Sequence, residues 1–303
     1  DDPAIRFPVE RGIIRAFVQH ETRSGDVTVA MQDFYNRNPF PNYDEMESVG
    51  SLVEKSLARG FPELLNRAIP PHASVLEVGC GTGQLGNFLS IAGRFVLSVD
   101  MTWNSLELGY RFKTANGLDS VHFAQMNLFH LPLQQEIFDA VICTGVLHHT
   151  SDPYRGFQGL IQHAKPGGYI IIGLYNLFGR AQTRLRRFLS SFLGRRIEKL
   201  DPYLAGTRMA ADKRLAWFMD QYQNPHESLH TMDEVLRWFD HNGVEFVRAI
   251  PSTLFGADND TGYRKSLFDP EPRGSRLDRI FSQCRQMFFD TEGGLFIMIG
   301  KRK

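Results

Sequence analysis

Val75-Leu76-Glu77-Val78-Gly79-Cys80-Gly81-Thr82-Gly83 is the stretch that decides how this chain folds. A short apolar strand runs into three glycines at alternate positions. Such a turn needs positive φ and a backbone that passes close to another group, and glycine allows both. The helix expected next, over 84–92, presents its first N–H groups to whatever sits at the turn. Seventeen residues beyond Gly83, Asp100 closes a second strand over 95–99. An acidic side chain there can accept hydrogen bonds from ribose hydroxyls. Strand, glycine turn, helix, strand and acid together specify a nucleoside-bearing cofactor at the carboxyl ends of parallel strands.

The alternation continues outward. Helices are expected over 105–115 and 154–163, and strands over 121–124, 138–143 and 169–174, the last behind Lys165-Pro166-Gly167-Gly168. Repeated units of this length predict an α/β fold with a doubly wound, mostly parallel, seven-stranded sheet. Upstream, one helix is expected over 46–68, ending before Pro70-Pro71. Downstream, 175–230 reads as helices only, an insertion after the fifth strand. Thr231-x-x-Glu234 reads as a capping box opening a helix that ends near His241-Asn242-Gly243. Strands over 244–250 and 295–300, the latter behind Gly293-Gly294, complete the sheet. The chain thus divides into an N-terminal extension (1–45), a cofactor-binding core (46–174), a helical insertion that caps the acceptor (175–230) and the rest of the core (231–303). A short strand pair is possible within 7–13.

Composition narrows the function classes. The formal net charge is zero, so no global field steers the protein to nucleic acid. Cys80, Cys143 and Cys284 are scattered and odd in number, which argues against a disulfide framework and for a reducing, cytoplasmic setting. No apolar run reaches the roughly 20 residues that span a bilayer, and no signal peptide is visible. The chain opens at Asp1-Asp2 without Met, as a trimmed chain would.

Two cofactors fit the glycine turn. Gly81-x-Gly83-x-x-Gly86 matches the dinucleotide fingerprint, a weak signal alone. The fuller Glu77-x-Gly79-x-Gly81-x-Gly83 resembles motif I of the class I S-adenosylmethionine-dependent methyltransferases. Phe138-Asp139-Ala140-Val141-Ile142-Cys143-Thr144-Gly145-Val146-Leu147-His148-His149 resembles motif IV, the Lys165–Gly168 turn precedes the family's fifth strand, and the last strand is similar to its antiparallel seventh. The resemblance covers 74–174 strongly and 231–303 weakly, and is nearest to the type-11-like small-molecule enzymes. It implies a Rossmann-like methyltransferase fold and S-adenosyl-L-methionine as cofactor. It also implies roles. Gly79, Gly81 and Gly83 form the turn against the methionine part, and Glu77 orients the amino group through water. Asp100 holds the ribose and Met101 packs on the adenine. Asn127-Leu128 stands where the family has Asp and a small or apolar residue, so an adenine-edge contact by Asn127 is in doubt. Thr144 faces the methionine end.

The acceptor side is less specified. Methyl transfer from a sulfonium needs alignment and exclusion of water, and a base only where the acceptor must lose a proton. His148-His149, after the fourth strand, are candidates for base or orienting group, against a reading as loop histidines bonded to backbone. His226, Glu227 and His230 lie in a pre-helix loop like the one that approaches the acceptor in related enzymes; the alternative is polar loop residues satisfying backbone. His226-Glu227-x-x-His230 also matches the zincin string, but Pro225 precedes it and Thr231 caps the next helix, so the two histidines would not share a helix face and no metal is expected. Phe34, Tyr35 and Tyr43 are either a lid over the cofactor or an anchor for the N-terminus. Residues 7–17 resemble the tail of the zinc-ribbon module that precedes some bacterial methyltransferases, without ligand cysteines.

The expected function is methyl transfer to a small, largely apolar acceptor, whether phenolic, quinone-like, polyketide or lipid-linked. The alternatives are an RNA or protein methyltransferase, or a binding module without turnover. Nucleic acid is the less favoured partner. Residues 177–200 carry Leu177, Phe178, Ala181, Leu185, Phe188, Leu189, Phe192 and Leu193 at helical spacing, with arginines largely elsewhere. That apolar face is expected to pack on the core and roof the pocket; the alternative is peripheral contact with an anionic membrane.

Overall fold

A computed structural model describes residues 6–18, 26–40, 43, 48–58, 60–201, 204, 211–256, 266–289 and 294–303. The parallel frame comes from β3 (Ser74–Val78), β4 (Phe95–Asp100), β5 (Val121–Gln125), β6 (Phe138–Thr144) and β7 (Ala164–Tyr175). β8 (Val244–Ile250) and β9 (Leu295–Arg302) complete the seven expected strands. Two short strands, β1 (Val9–Glu10) and β2 (Ile13–Arg15), extend them to a nine-stranded sheet in the order β1-β2-β5-β4-β3-β6-β7-β9-β8. β2 lies parallel to β5, and β9 runs antiparallel between β7 and β8.

The central strands read as unbroken apolar runs because helices cover both their faces. Alternate residues feed separate cores. Leu76 and Val78 enter one cluster with Ile170, Ile172 and Leu174. Val75 enters the other with Val96, Ile142 and Ile171. The strand order reverses between β3 and β6, which pair through Val75 and Ala140, Leu76 and Val141, and Glu77 and Ile142. The crevice at the carboxyl ends of these two strands is where ligands bind in open α/β sheets. Gly79 and Thr144 follow from that pairing onto opposite sides of it.

Several expectations need correction. The single helix over 46–68 is two, Val49–Ala58 and Phe61–Ala68. Gly60 takes φ 73° between them and Pro62 stands in the first turn of the second, so the chain restarts there. The insertion is not helical throughout. Helix Ala181–Leu193 runs into a 3-10 turn, Gly194–Leu200, and helix Ala211–Phe218 widens into a π turn, Met219–Gln223. Residues 224–230 then form no helix. The His230 N–H donates to the Tyr175 carbonyl at 2.9 Å, and the Leu177 N–H donates to the His230 carbonyl at 2.9 Å. The insertion therefore returns to the edge of β7. Finally, the capping box is half formed. Thr231 Oγ1 accepts from the Glu234 N–H at 3.3 Å, while the Glu234 carboxylate turns to His230 Nδ1 at 3.1 Å.

Helix Ala181–Leu193 also faces the opposite way from its expected packing. Thr183 and Ser190 are buried, whereas Leu185, Phe188 and Phe192 are 60%, 64% and 75% exposed. Arg180 and Arg187 set this orientation, because both reach inward to Glu227.

Candidate active site

A cavity of about 590 Å³ opens at the crevice between β3 and β6. One end is the glycine turn. Gly79, Gly81 and Gly83 take φ of 73°, 54° and 69°. A Cβ on Gly79 would lie 2.2 Å from Val146 Cγ2, so glycine lets the two loops approach across the cavity. Gly83 also needs its positive φ, but a Cβ there would strike Phe123 at 2.3 Å. It is absent from the cavity wall. Gly83 therefore shapes the turn from behind and is corrected from a contact to a support.

Glu77, Gly79, Gly81, Asp100, Met101, Asn127, Leu128 and Thr144 all line the cavity. Asp100 Oδ2 accepts from the Gly81 N–H at 2.8 Å, while Oδ1 accepts from the Thr102 N–H at 2.8 Å and the Thr102 hydroxyl at 2.7 Å. One acid thus ties the glycine turn to the end of β4. Glu77 Oε2 accepts from Ser98 Oγ at 2.7 Å. Burial raises the Glu77 carboxyl to about 7, against the lowering effect of its bonds to Ser98 and the Gly86 N–H, with Asp100 raising it further. The carboxyl sits in apolar surroundings that a cation would relieve. The Asn127 amide is already engaged: Oδ1 accepts from the Phe129 N–H at 3.0 Å and Nδ2 donates to the Val18 carbonyl at 3.2 Å.

The cavity is also lined by Tyr35, His149, Tyr175, Asp220, Gln221 and Trp217. His149 Nδ1 lies 2.7 Å from the His226 carbonyl, which can only accept, so Nδ1 carries the proton and Nε2 is the basic atom. Burial lowers the His149 pKa, partly offset by Asp220 and the His226 carbonyl, so the ring is neutral at neutral pH. Tyr35 donates to Asp220 Oδ1 at 2.9 Å and accepts from Asn224 Nδ2 at 2.9 Å. Arg180 is fully buried, with its guanidinium 3.7 Å above the Tyr175 ring. It donates to Glu227 at 2.6 Å and to Gln221. Its charge is thus paired and held away from the cavity.

The four histidines proposed for catalysis separate. His149 alone of them lines the cavity. His148 is sealed beneath it, stacked on Tyr175 with ring centroids 3.8 Å apart. Neither of its ring nitrogens meets a hydrogen-bond partner among the described residues. Burial, then His149, depresses its pKa well below the ordinary range. His226 Nε2 donates to the Thr150 carbonyl at 3.1 Å. His230 is held between Ser228 Oγ at 2.8 Å and Glu234. His148, His226 and His230 are therefore corrected from catalytic candidates to supports of the His149 loop and of the insertion. The zincin string lies on this non-helical segment, with its three side chains on three separate sets of partners. The N-terminal aromatics divide as well. Tyr35, on helix Thr28–Arg37, closes the cavity against the insertion, while Tyr43 anchors the chain, accepting from Asn87 Nδ2 at 2.6 Å and stacking on Phe112.

Sequence reading missed Tyr175, Asp220 and Gln221 as wall residues. Tyr175 was within reach, since it ends β7 on the ligand side of the sheet. Asp220 and Gln221 lie on the π turn, where nothing local distinguishes them from other polar helical residues.

A family model described as a methyltransferase domain matches residues 69–243, more than half of the chain. Uncharacterized protein syc1184_c of Synechococcus sp. is 28% identical over 215 residues, covering 61% of this chain and 52% of that protein. The ubiquinone biosynthesis O-methyltransferase of Haemophilus ducreyi is 35% identical over 107 residues, 34% of this chain and 45% of the relative. The demethylmenaquinone methyltransferase of Clavibacter sepedonicus is 31% identical over 136 residues, 43% and 55% respectively. The chain spans about half the length of the curated relatives it matches. Among solved structures, PKMT2 from Rickettsia typhi superposes with a TM-score of 0.56 at 17% identity, over 80% of this chain and 52% of that one, which shows the shared fold.

Proposed function

We propose, from the premise that this chain belongs to the methyltransferase-domain family, that it moves the methyl group of S-adenosylmethionine to a hydroxyl of a small, largely apolar, quinone-like or phenolic acceptor. The cofactor fits the residues present. Gly79 and Gly81 bring bare backbone to the cavity wall, Glu77 is a buried carboxyl that a cation would relieve, and Asp100 stands at the end of β4 beside Met101. When bound there, the cofactor supplies a methyl on a positively charged sulfur, an activated leaving group.

The observation that carries the acceptor class is a neutral, buried His149 in the wall of the same cavity. Its Nδ1–H is fixed on the His226 carbonyl, so Nε2 can take a proton from an acceptor hydroxyl as the new C–O bond forms. Tyr35 and Tyr175 flank it, and Tyr35 is held by Asp220 and Asn224. These rings exclude water and orient a planar acceptor, which is much of what such a displacement requires. The names of the Haemophilus and Clavibacter relatives agree with a quinone-like acceptor.

A panel of phenols and hydroquinones with apolar tails of increasing length tests this reading. kcat/KM should rise with tail length, and the product should be the O-methyl ether. Turnover confined to amines, or to RNA or protein, would contradict it.

A further inference from the structure

The outward face of helix Ala181–Leu193 is apolar, which reverses the usual arrangement of a surface helix. Leu185, Phe188 and Phe192 fall on one face, three and four residues apart. Phe188 and Phe192 pack edge to face with centroids 5.4 Å apart. Burying this face against the core would drive Arg187 outward and strip Glu227 of one of its two cations. The exposed face is thus a consequence of the inner ion cluster. The helix and the turn after it also carry exposed cations, Arg184, Arg196 and Lys199, and the one acid of the segment, Glu198, is buried and paired with Arg195 and Arg214. Exposed aromatic side chains on a segment whose exposed charges are cations match the chemistry of an anionic lipid interface, where rings enter the acyl boundary and cations meet the headgroups. No helix among the described residues is long and apolar enough to cross a membrane, so the contact is peripheral.

We infer that helix Ala181–Leu193 and the following 3-10 turn dock this protein on an anionic lipid surface through Phe188 and Phe192 with Arg184, Arg196 and Lys199. The position has a consequence. The buried side of the helix packs through Leu189 on the cluster of Ile197, Phe218 and Tyr222, and the π turn that Tyr222 belongs to supplies Asp220 and Gln221 to the cavity wall. Docking would set that wall of the cavity beside the bilayer. The inference rests on the exposed helix and not on the proposed acceptor.

Flotation with phosphatidylcholine vesicles, with and without phosphatidylglycerol, tests it on the whole chain. Binding should require the anionic lipid and weaken as salt rises. Each cation near such a surface is worth about fivefold in partition, so Arg184→Gln, Arg196→Gln and Lys199→Gln together should weaken binding about a hundredfold. Phe192→Ser should weaken it by about tenfold or more. Both variants should keep their melting temperature and cofactor affinity, since every changed side chain is exposed. No flotation at low salt, or binding that Phe192→Ser leaves intact, overturns the proposal. So does a dimer in sedimentation that Phe192→Ser dissociates while vesicles are ignored, since a second copy would then be the occupant.

Discussion

Exchanging Glu77 for Gln separates cofactor recognition from the rest of the site, and its effect follows from the carboxyl's surroundings. Burial raises Glu77 to about 7, so near neutral pH about half of the cofactor-free molecules carry it protonated. The cationic amino group of S-adenosylmethionine favours the ionised form. Binding should therefore release about half a proton near pH 7, and apparent affinity should follow the ionised fraction, rising about tenfold between about pH 6 and about pH 8. Glu77→Gln should abolish that dependence and, at the upper pH, weaken binding by about 1.5–3 kcal/mol, the loss expected for a hydrogen bond to a charged group. The sign for stability also follows. The folded pKa of about 7 lies above the ordinary 4.5, so the cofactor-free protein loses stability as pH rises through that interval, and Glu77→Gln removes the loss. Calorimetry in buffers of different ionisation enthalpy measures both affinity and proton release. A wild-type affinity flat over this range, or a dependence that survives in Glu77→Gln, would refute the assignment of Glu77 to the cofactor's cation.

Three further outcomes are expected. His149→Gln should lower kcat by about 10²–10⁴ while cofactor affinity is kept, and wild-type kcat should fall only as pH drops through a histidine pKa lowered by burial; a variant with normal turnover would exclude His149 as base. Asp100→Ala should weaken cofactor binding by about 1.5–3 kcal/mol, and Thr102→Ala by much less, because Thr102 only braces the carboxylate; equal losses would assign the effect to loop order instead. Gly86→Ala places a Cβ 2.0 Å from Ser98 Oγ and 2.7 Å from Glu77 Oε2, so it should cost about 1–3 kcal/mol in a denaturant melt and loosen cofactor binding; an unchanged melt would show that this pair can shift freely.

The cofactor half of the site was legible because its signals are local. Glycines at 79, 81 and 83 are required by backbone conformation, and Asp100 by its place at a strand end, so residue type and spacing carry the information. The acceptor half is assembled from segments far apart in the chain. Tyr35 meets Asp220 across 185 residues, and Arg180 meets Glu227 across 47. No periodicity records such contacts. The histidines illustrate this: His148 and His149 are neighbours on one 3-10 turn, yet only His149 lines the cavity, with its ring fixed by the carbonyl of His226, 77 residues away. The insertion was misread for the same reason. Its apolar spacing is real, yet ion pairs from Arg180 and Arg187 to Glu227 turn that face outward. The helix break at Gly60 was written locally, in Gly60-Phe61-Pro62, and was overlooked because the apolar periodicity runs through it.

Whether one cavity holds S-adenosylmethionine at the glycine turn and a small acceptor at His149 is tested most directly by following a labelled methyl group from the cofactor through a cell extract supplied with the purified protein, with organic-soluble, RNA and protein fractions counted separately. Label should enter the organic-soluble fraction and be lost in both Asp100→Ala and His149→Gln, with the second variant still binding cofactor. Label in RNA or protein that persists in His149→Gln would contradict it.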